Sequence, residues 1–393
     1  MTRMNKNSTI TEKVSIEAML KTEEYQNTEM KLPCILGVTE NNKPFLFDLT
    51  KCHMLIAGTP GQGMRNVIHS ILLSLLHKKS PSELKLVLID SKMVEFTEYE
   101  PLATQYLAKM PYMEEPIISD MQDAVNAINS LRKLMDVRYE FLLKNDARNI
   151  EDYNDKYKKD LISPQPFHGI MPYYVVMIDD YGDYMMTVGK EFELPLAMLA
   201  LLARAVGIYI VIATPRPVSR VINGTIKANF PCCIATKVMS ELDSKLIIDK
   251  PGAERLSDTG LSYVCDGEHV KIQSVYVDEF NDVPRACRHL ASKFPDCSQT
   301  QLPVDKNFEK RKTELSINKS AQIEDVIEKI KSNGYTFEYS EPLLEEAAKT
   351  VVEMQSTSIS MLQRKLCIGY NRASRLIDLL ETIGLLNREE PHQ

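Results

Sequence analysis

Apolar residues along this chain alternate between two rhythms. Short unbroken runs, Cys52 to Ala57 (CHMLIA), Leu84 to Ile89 (LKLVLI), Tyr173 to Ile178 (YYVVMI) and Ile208 to Thr214 (IYIVIAT), have the length of strands buried on both faces. Between them apolar residues return at helical spacing. Val67, Ile68, Ile71, Leu72, Leu75 and Leu76 do so within MRNVIHSILLSLLHKK, and residues 121–144 carry a longer repeat of the same kind. Such alternation predicts an α/β fold: a mostly parallel sheet covered by helices on both faces, with a ligand crevice at the C-terminal strand ends.

Ahead of the first run, residues 31–50 (KLPCILGVTENNKPFLFDLT) predict a hairpin turning at Glu40-Asn41-Asn42, and residues 1–30 predict a loose polar start. The stretch Leu194 to Thr214, with Arg204 as its single charge, has the length of a membrane span. Gly207 interrupts it and β-branched residues fill only its second half, so it reads as a buried helix followed by a core strand. Residues 31–296 then form one large domain, residues 297–335 turn polar and read as a linker, and residues 336–393 form a compact C-terminal unit. In that unit LLEEAAKTVVEM, SISMLQRKL and NRASRLIDLLETIGLL predict three helices. The second and third meet at the short turn Cys367-Ile368-Gly369-Tyr370, the signature of a helix-turn-helix.

Composition narrows the function. A net charge of −7 excludes a uniformly basic nucleic-acid binder but leaves room for a local positive patch. The eight cysteines (34, 52, 232, 233, 265, 287, 297 and 367) are dispersed without a CxxC pair. That pattern disfavours zinc and a secreted disulfide framework, and reads as reduced thiols of a cytoplasmic protein. The N-terminal residues hold no apolar core of signal-peptide length.

Three polar clusters fall at predicted strand ends. Gly58-Thr59-Pro60-Gly61-Gln62-Gly63 has the glycine spacing of a phosphate-cradling loop between a strand and a helix. The next two residues depart from that motif. Met64 stands where a lysine would reach the phosphates, and Arg65 where a hydroxyl would hold magnesium. Arg65 lies one residue late, roughly 100° around the helix from the lysine position. The second cluster follows YYVVMI: Asp179 suits a magnesium held through water, and Asp180 a water-activating base, one methylene shorter than glutamate. The alternative is a solvated acidic turn. The third is Pro215-Arg216-Pro217 after IYIVIAT.

The order of blocks is more specific than any one motif. ILGVTENNKPFLFDLTKCHMLIAGTPGQG, VLIDSKMVEFTEYE, YYVVMIDDYGDYMMTVGKE, LLARAVGIYIVIATPRP and VINGTIKANFPCCIA resemble, in sequence, the motor of the FtsK/SpoIIIE family of DNA translocases, and SISMLQRKLCIGYNRASRLIDLLETIGLL resembles that family's C-terminal winged helix. The resemblance implies a P-loop NTPase (RecA-like) fold plus a small winged-helix domain, ATP and magnesium as cofactors, double-stranded DNA as partner, and a ring, possibly a hexamer. Family members are commonly tethered by membrane helices, which these residues lack, so a motor-plus-winged-helix form without a membrane segment is expected. Family-like residues are Asp90, Lys92, Asp179, Arg204, Arg216, Lys227 and Asp243. Departures are Met64, Arg65, Asp180, Pro215 within the family's ATQRP, and Cys232-Cys233 within its PTR. Arg204 is either an arginine finger reaching a neighbouring subunit's phosphate or a helix-end arginine paired with a carboxylate.

In the C-terminal unit, residues 361–377 hold Arg364, Lys365, Arg372 and Arg375 and no acid, a charge of +4 suited to phosphates. Asn371, Arg375 and Asp378 match the family's base-reading positions, and their side chains suit adenine, guanine and cytosine edges. Two functions follow as expectations: a DNA translocase with a degenerate nucleotide site, or a pseudo-ATPase that binds DNA as a scaffold or regulator, alone or in a mixed ring with an intact paralogue.

Overall fold

The computed structural model describes residues 14–162, 169–295, 297–304, 343–354, 362, 365, 366, 368 and 370–382. The chain divides into two compact units, Met1–Pro303 and Val304–Gln393.

The first unit is built on a nine-stranded sheet. In chain order its strands are β1 (Pro33–Thr39), β2 (Pro44–Asp48), β3 (Met54–Ala57), β4 (Leu84–Ile89), β6 (Tyr173–Ile178), β7 (Ile208–Thr214), β8 (Cys232–Ala235), β9 (Gly260–Cys265) and β10 (Glu268–Ser274); a separate short pair joins β5 (Ala108–Lys109) to β11 (Thr300–Gln301). Across the sheet the order is β2-β1-β10-β9-β8-β3-β7-β6-β4. From β8 to β4 neighbouring strands are parallel. These central strands are apolar runs buried on both faces, as continuous runs require. From β8 outward the pairing is antiparallel, through β9, β10, β1 and β2. That extension is where the parallel expectation stops. Strands β8 to β10 also escape the sequence reading: β8 is only four residues long, and β10 (EHVKIQS) is polar and mostly exposed until its last three positions.

The hairpin forms as expected, β1 pairing with β2 and Asn42 turning at φ 56°. The described residues ahead of it, 14–32, are more structured than the expected loose segment. Ile16–Leu20 and Glu23–Gln26 are short helices, Ile16 N–H donates to Tyr276 O at 3.0 Å, and the buried Tyr25 hydroxyl donates to Ser74 O. At the other end β11 belongs to the first unit, since it pairs with β5 and Leu302 N–H donates to Lys109 O. The rest of the expected linker, 305–335, lies outside the described residues.

The stretch Leu194–Thr214 divides as its sequence suggests, into the end of helix Lys190–Leu202, a 3-10 turn, Gly207 at φ 75° and β7. Its helix is not fully buried. Leu194, Met198, Leu201 and Leu202 recur at helical spacing and are each more than half exposed. No helix among the described residues is long and apolar enough to cross a membrane.

Arg138, on helix Met121–Lys144, is fully buried beneath this turn. It donates to Val206 O at 2.6 Å and Pro172 O at 2.8 Å, and its guanidinium lies 4.8 Å from the Tyr174 ring centre. Burial pulls its pKa down to about 10, so the charge persists at neutral pH. Truncation would strand two buried carbonyls, and Arg138→Ala is expected to destabilise the protein by about 3 kcal/mol or more, read from the urea midpoint. Arg138→Lys should recover only part of that loss, because an ammonium cannot fork to both carbonyls.

Within the second unit the described residues include helices Leu344–Met354 and Tyr370–Thr382, joined by a core of Leu344, Ala347, Ala348, Val351, Leu362, Ala373, Leu376, Ile377 and Leu380.

Candidate functional site

Strands β3, β7, β6 and β4 run parallel, so the loops at their C-terminal ends share one edge of the sheet. The glycine loop follows β3 and leads into helix Met64–Lys78. Its shape depends on residues without side chains. A Cβ on Gly58 would lie 1.8 Å from Thr236 Oγ1, and Gly63 caps the helix at φ 90°. Three loop amides are used internally: Gly58 to Thr214 O, Thr59 to Lys237 O and Gln62 to Thr59 O. Those of Gly61, Gly63 and Met64 have no partner among the described residues, leaving donors at a helix N-terminus where an anion would sit.

Asp179 and Asp180 follow β6, two strands from β3 and so roughly 10 Å away across the sheet. Asp179 is buried, and its Oδ1 has no hydrogen-bond partner. Burial, then the charges of Asp180, Glu95 and Asp90, push its carboxyl up to about 8. Asp180 takes a left-handed conformation, φ 48°, at the start of helix Tyr181–Thr187. Its carboxylate is engaged by the Lys92 ammonium, which also lies 3.2 Å from Asp183. Partial burial lowers the Lys92 pKa, but the bonds to Asp180 and Asp183 outweigh it and the net shift is upward.

Lys92 and Glu95 reach the site because of Asp90, a residue with no exposure at the end of β4. Its carboxylate accepts from the amides of Lys92, Val94, Glu95 and Phe96 at 3.0, 2.9, 2.7 and 3.4 Å. Glu95 then meets Arg65. The Arg65 guanidinium donates to Glu95 at 2.9 Å and to Glu279 at 2.8 and 3.0 Å, while His69 Nε2 lies 3.1 Å from Glu95. Burial works against the Arg65 charge, and the two glutamates more than offset it. The Arg65 side chain is therefore held by carboxylates on its own chain. Glu95, Glu279 and His69 carried no motif, and only folding brings them to residue 65.

ATP with magnesium fits this site in part. Unpartnered loop amides suit phosphate, and a buried carboxylate oxygen without a donor suits a cation. The side chains at 64 and 65 do not fit: a thioether cannot neutralise phosphate, and the guanidinium is already paired.

Arg204 lies elsewhere. It is exposed in the turn before β7 and donates to Lys51 O, ahead of β3, at the opposite strand ends from the glycine loop. No carboxylate partner for it is found among the described residues. In the second unit Lys365, Arg372 and Arg375 are exposed, and Asn371 and Asp378 fall within helix Tyr370–Thr382. Arg364 lies outside the described residues.

A parallel sheet with a glycine loop leading from a strand into a helix, and an acidic strand end two strands away, defines a P-loop NTPase. The FtsK/SpoIIIE family model matches residues 15–219, and the Ftsk gamma domain model matches residues 338–392. The chain belongs to the FtsK/SpoIIIE family. It is 37% identical over 381 residues to the DNA translocase FtsK of Chlorobaculum tepidum, covering 95% of this chain and 44% of that protein. It is 34% identical over 378 residues to the DNA translocase SftA of Bacillus subtilis, covering 95% of this chain and 36% of that one. The chain thus spans less than half the length of these relatives. Among solved structures, the conjugation coupling protein TcpA with ATPγS superposes with a TM-score of 0.56 at 23% identity, over 68% of this chain and 73% of that one. The cytoplasmic domain of the Type VII secretion ATPase EccC of Thermomonospora curvata gives 0.59 at 17%, over 75% and 36%. These two share the fold.

The raised Asp179 pKa has a signed consequence. An unfolded aspartate releases its proton near pH 4, whereas the folded protein holds it to about pH 8. The associated stability is present below about pH 4, declines as pH rises through about 8, and is gone above that. Thermal melts between about pH 5 and pH 9 should show this slope, and Asp179→Asn should flatten it and raise Tm at the alkaline end.

Proposed function

We propose that this chain is the motor and gamma portion of an ATP-dependent double-stranded DNA translocase whose nucleotide site is weakened at Met64 and Arg65. The observation that carries this reading is the pairing, on one sheet edge, of open loop amides with the unpartnered Oδ1 of Asp179. In this reading the loop 58–65 cradles the ATP phosphates with its open amides, those of Gly61, Gly63 and Met64, Asp179 holds magnesium through water, and Asp180 positions the attacking water once Lys92 gives it up. Released from Asp180, the Lys92 ammonium supplies positive charge that Met64 does not.

The protein acts as a ring in this proposal. Arg204 is too far from its own glycine loop to serve it, and it follows directly on the exposed apolar stripe Leu194, Met198, Leu201 and Leu202. An apolar stripe beside an exposed arginine suits a head-to-tail contact that carries Arg204 toward a neighbour's nucleotide. The neighbour is a second copy or an intact paralogue.

The second unit grips DNA through Arg364, Lys365 and Arg372, with Asn371, Arg375 and Asp378 reading bases. Lys365→Ala should weaken binding evenly across sequences and lower the salt slope by about 1 in an anisotropy titration. Arg375→Ala should instead relax sequence preference, costing about 1–3 kcal/mol on a preferred site.

A second reading, a pseudo-ATPase scaffold on DNA, draws support from the ion pairs that hold Arg65 on Glu95 and Glu279. ATP hydrolysis with and without long duplex DNA separates the two. The translocase reading expects DNA-stimulated turnover by the natural protein, and a rise of about tenfold or more in Met64→Lys, Arg65→Ser, since one charge-assisted contact is worth about 1.5–3 kcal/mol. DNA binding without turnover in the natural protein would establish the scaffold instead.

A further inference from the structure

Three cysteines spread over more than two hundred residues of chain meet inside the first unit. Cys52 precedes Met54 by two positions, and Met54 is aligned with Cys232 across the β3/β8 pair. On the other side of β8, the register Cys233 to Val264 brings Cys265 beside Cys232. The three Sγ atoms all lie within 4.8 Å of one another, and those of Cys52 and Cys265 are 3.4 Å apart. Exposure is 2%, 0% and 4% for Cys52, Cys232 and Cys265.

We propose that Cys52, Cys232 and Cys265 form a three-thiolate site for a soft monovalent metal ion, copper(I). The ligand set is all sulfur, which selects soft ions over magnesium, calcium or manganese. A metal–sulfur distance of about 2.3 Å places three trigonal sulfurs about 4 Å apart, inside the span these atoms already occupy. Coordination number decides between the soft candidates. Structural zinc takes four ligands, and no fourth histidine, cysteine or carboxylate joins the cluster among the described residues. Burial also closes the position where a water would complete a tetrahedron.

The surroundings are compatible with negative charge. The Tyr263 hydroxyl and the Lys51 ammonium both favour negative charge on Cys265. Hydrogen bonds from Cys232 and Cys52 are the larger cause and hold Cys265 well below the usual thiol range. Cys232 is pushed up by burial and by its two neighbours. An entering ion binds the three sulfurs as thiolates, and the thiol protons that it displaces leave to solvent. Entry is short, since each cysteine adjoins an exposed residue: Lys51, Pro231 and Asp266.

Sequence spacing offers no hint of this cluster, and Cys232 stands where the family pattern has threonine. The site therefore depends on one of this chain's departures from the family pattern and is separate from the glycine loop at the other strand ends. Lys51 supplies the carbonyl that accepts from Arg204, so an occupied cluster also stiffens the segment that supports that arginine.

The test uses the full chain, reduced and kept free of oxygen, competing for copper(I) against the chromophoric chelator bicinchoninate. One copper per chain is expected, with an X-ray absorption spectrum fitted by three sulfurs at about 2.3 Å. Cys232→Ser should weaken capture by about 100-fold or more, while Cys34→Ser and Cys287→Ser, at buried cysteines outside the cluster, should leave it unchanged. The absorption spectrum of the natural protein needs no variant and stands if a substitution disturbs folding. Failure to take copper from the chelator, a two-sulfur site, capture lost equally in Cys34→Ser, or preferential four-coordinate zinc binding would each overturn the proposal.

Discussion

The Asp90 carboxylate is the interaction on which the nucleotide edge of this protein depends. It is fully buried, and four amides of the loop that follows it, those of Lys92, Val94, Glu95 and Phe96, close around it. These amides satisfy the acceptor oxygens of the buried carboxylate without a cation. The loop has little freedom left as a result. It must pass over the end of β4 in one way, and Met93 accepts a left-handed φ of 53° to do so. Lys92 is thereby delivered to Asp180, and Glu95 to Arg65.

That delivery sets the charge balance of the site. Asp180, Asp183, Glu95 and Glu279 bring carboxylates to the edge, and Lys92 and Arg65 answer them from the same chain. With a lysine at position 64 a further positive charge would stand at the loop itself. With Met64 there, the free protein pairs its cations with its own acids and leaves Asp179 protonated up to about pH 8. Any phosphate and metal must therefore compete with internal ion pairs. The balance of that competition, more than the loop's shape, governs what the site does.

The two sides of the central strands have different duties. Their C-terminal ends carry the glycine loop and the acids; their N-terminal ends carry Arg204, the Lys51 carbonyl that holds it and the sulfur cluster. Buried Arg138 belongs to the N-terminal level, where it clamps the Val206 and Pro172 carbonyls just ahead of β7 and β6, the first of them in the turn that presents Arg204. An apolar stripe on helix Lys190–Leu202 borders the same turn and would be costly to leave in water.

Much of this was readable along the chain. Runs such as LKLVLI and YYVVMI became strands at the positions their patterns indicated, because residues buried on both faces leave an uninterrupted apolar signature. Glycine spacing located the loop, since backbone geometry is a local demand, and ordered blocks such as VLIDSKMVEFTEYE located the family. Strand β10 was not legible, because a half-exposed antiparallel strand carries polar residues on one face and too few apolar ones to set a period. The short helices at Ile16–Leu20 and Glu23–Gln26 were likewise hidden, being ordered by Tyr25 and Tyr276 contacts from far along the chain. Sequence alone thus determined the class of fold, the loop and the missing lysine, all of which are properties of neighbouring residues. Only tertiary structure decided that Arg65 binds Glu95 and Glu279, that Lys92 meets Asp180, and that three dispersed cysteines share one pocket. Those pairings depend on strand order and register, which bring together side chains that have no relation in sequence.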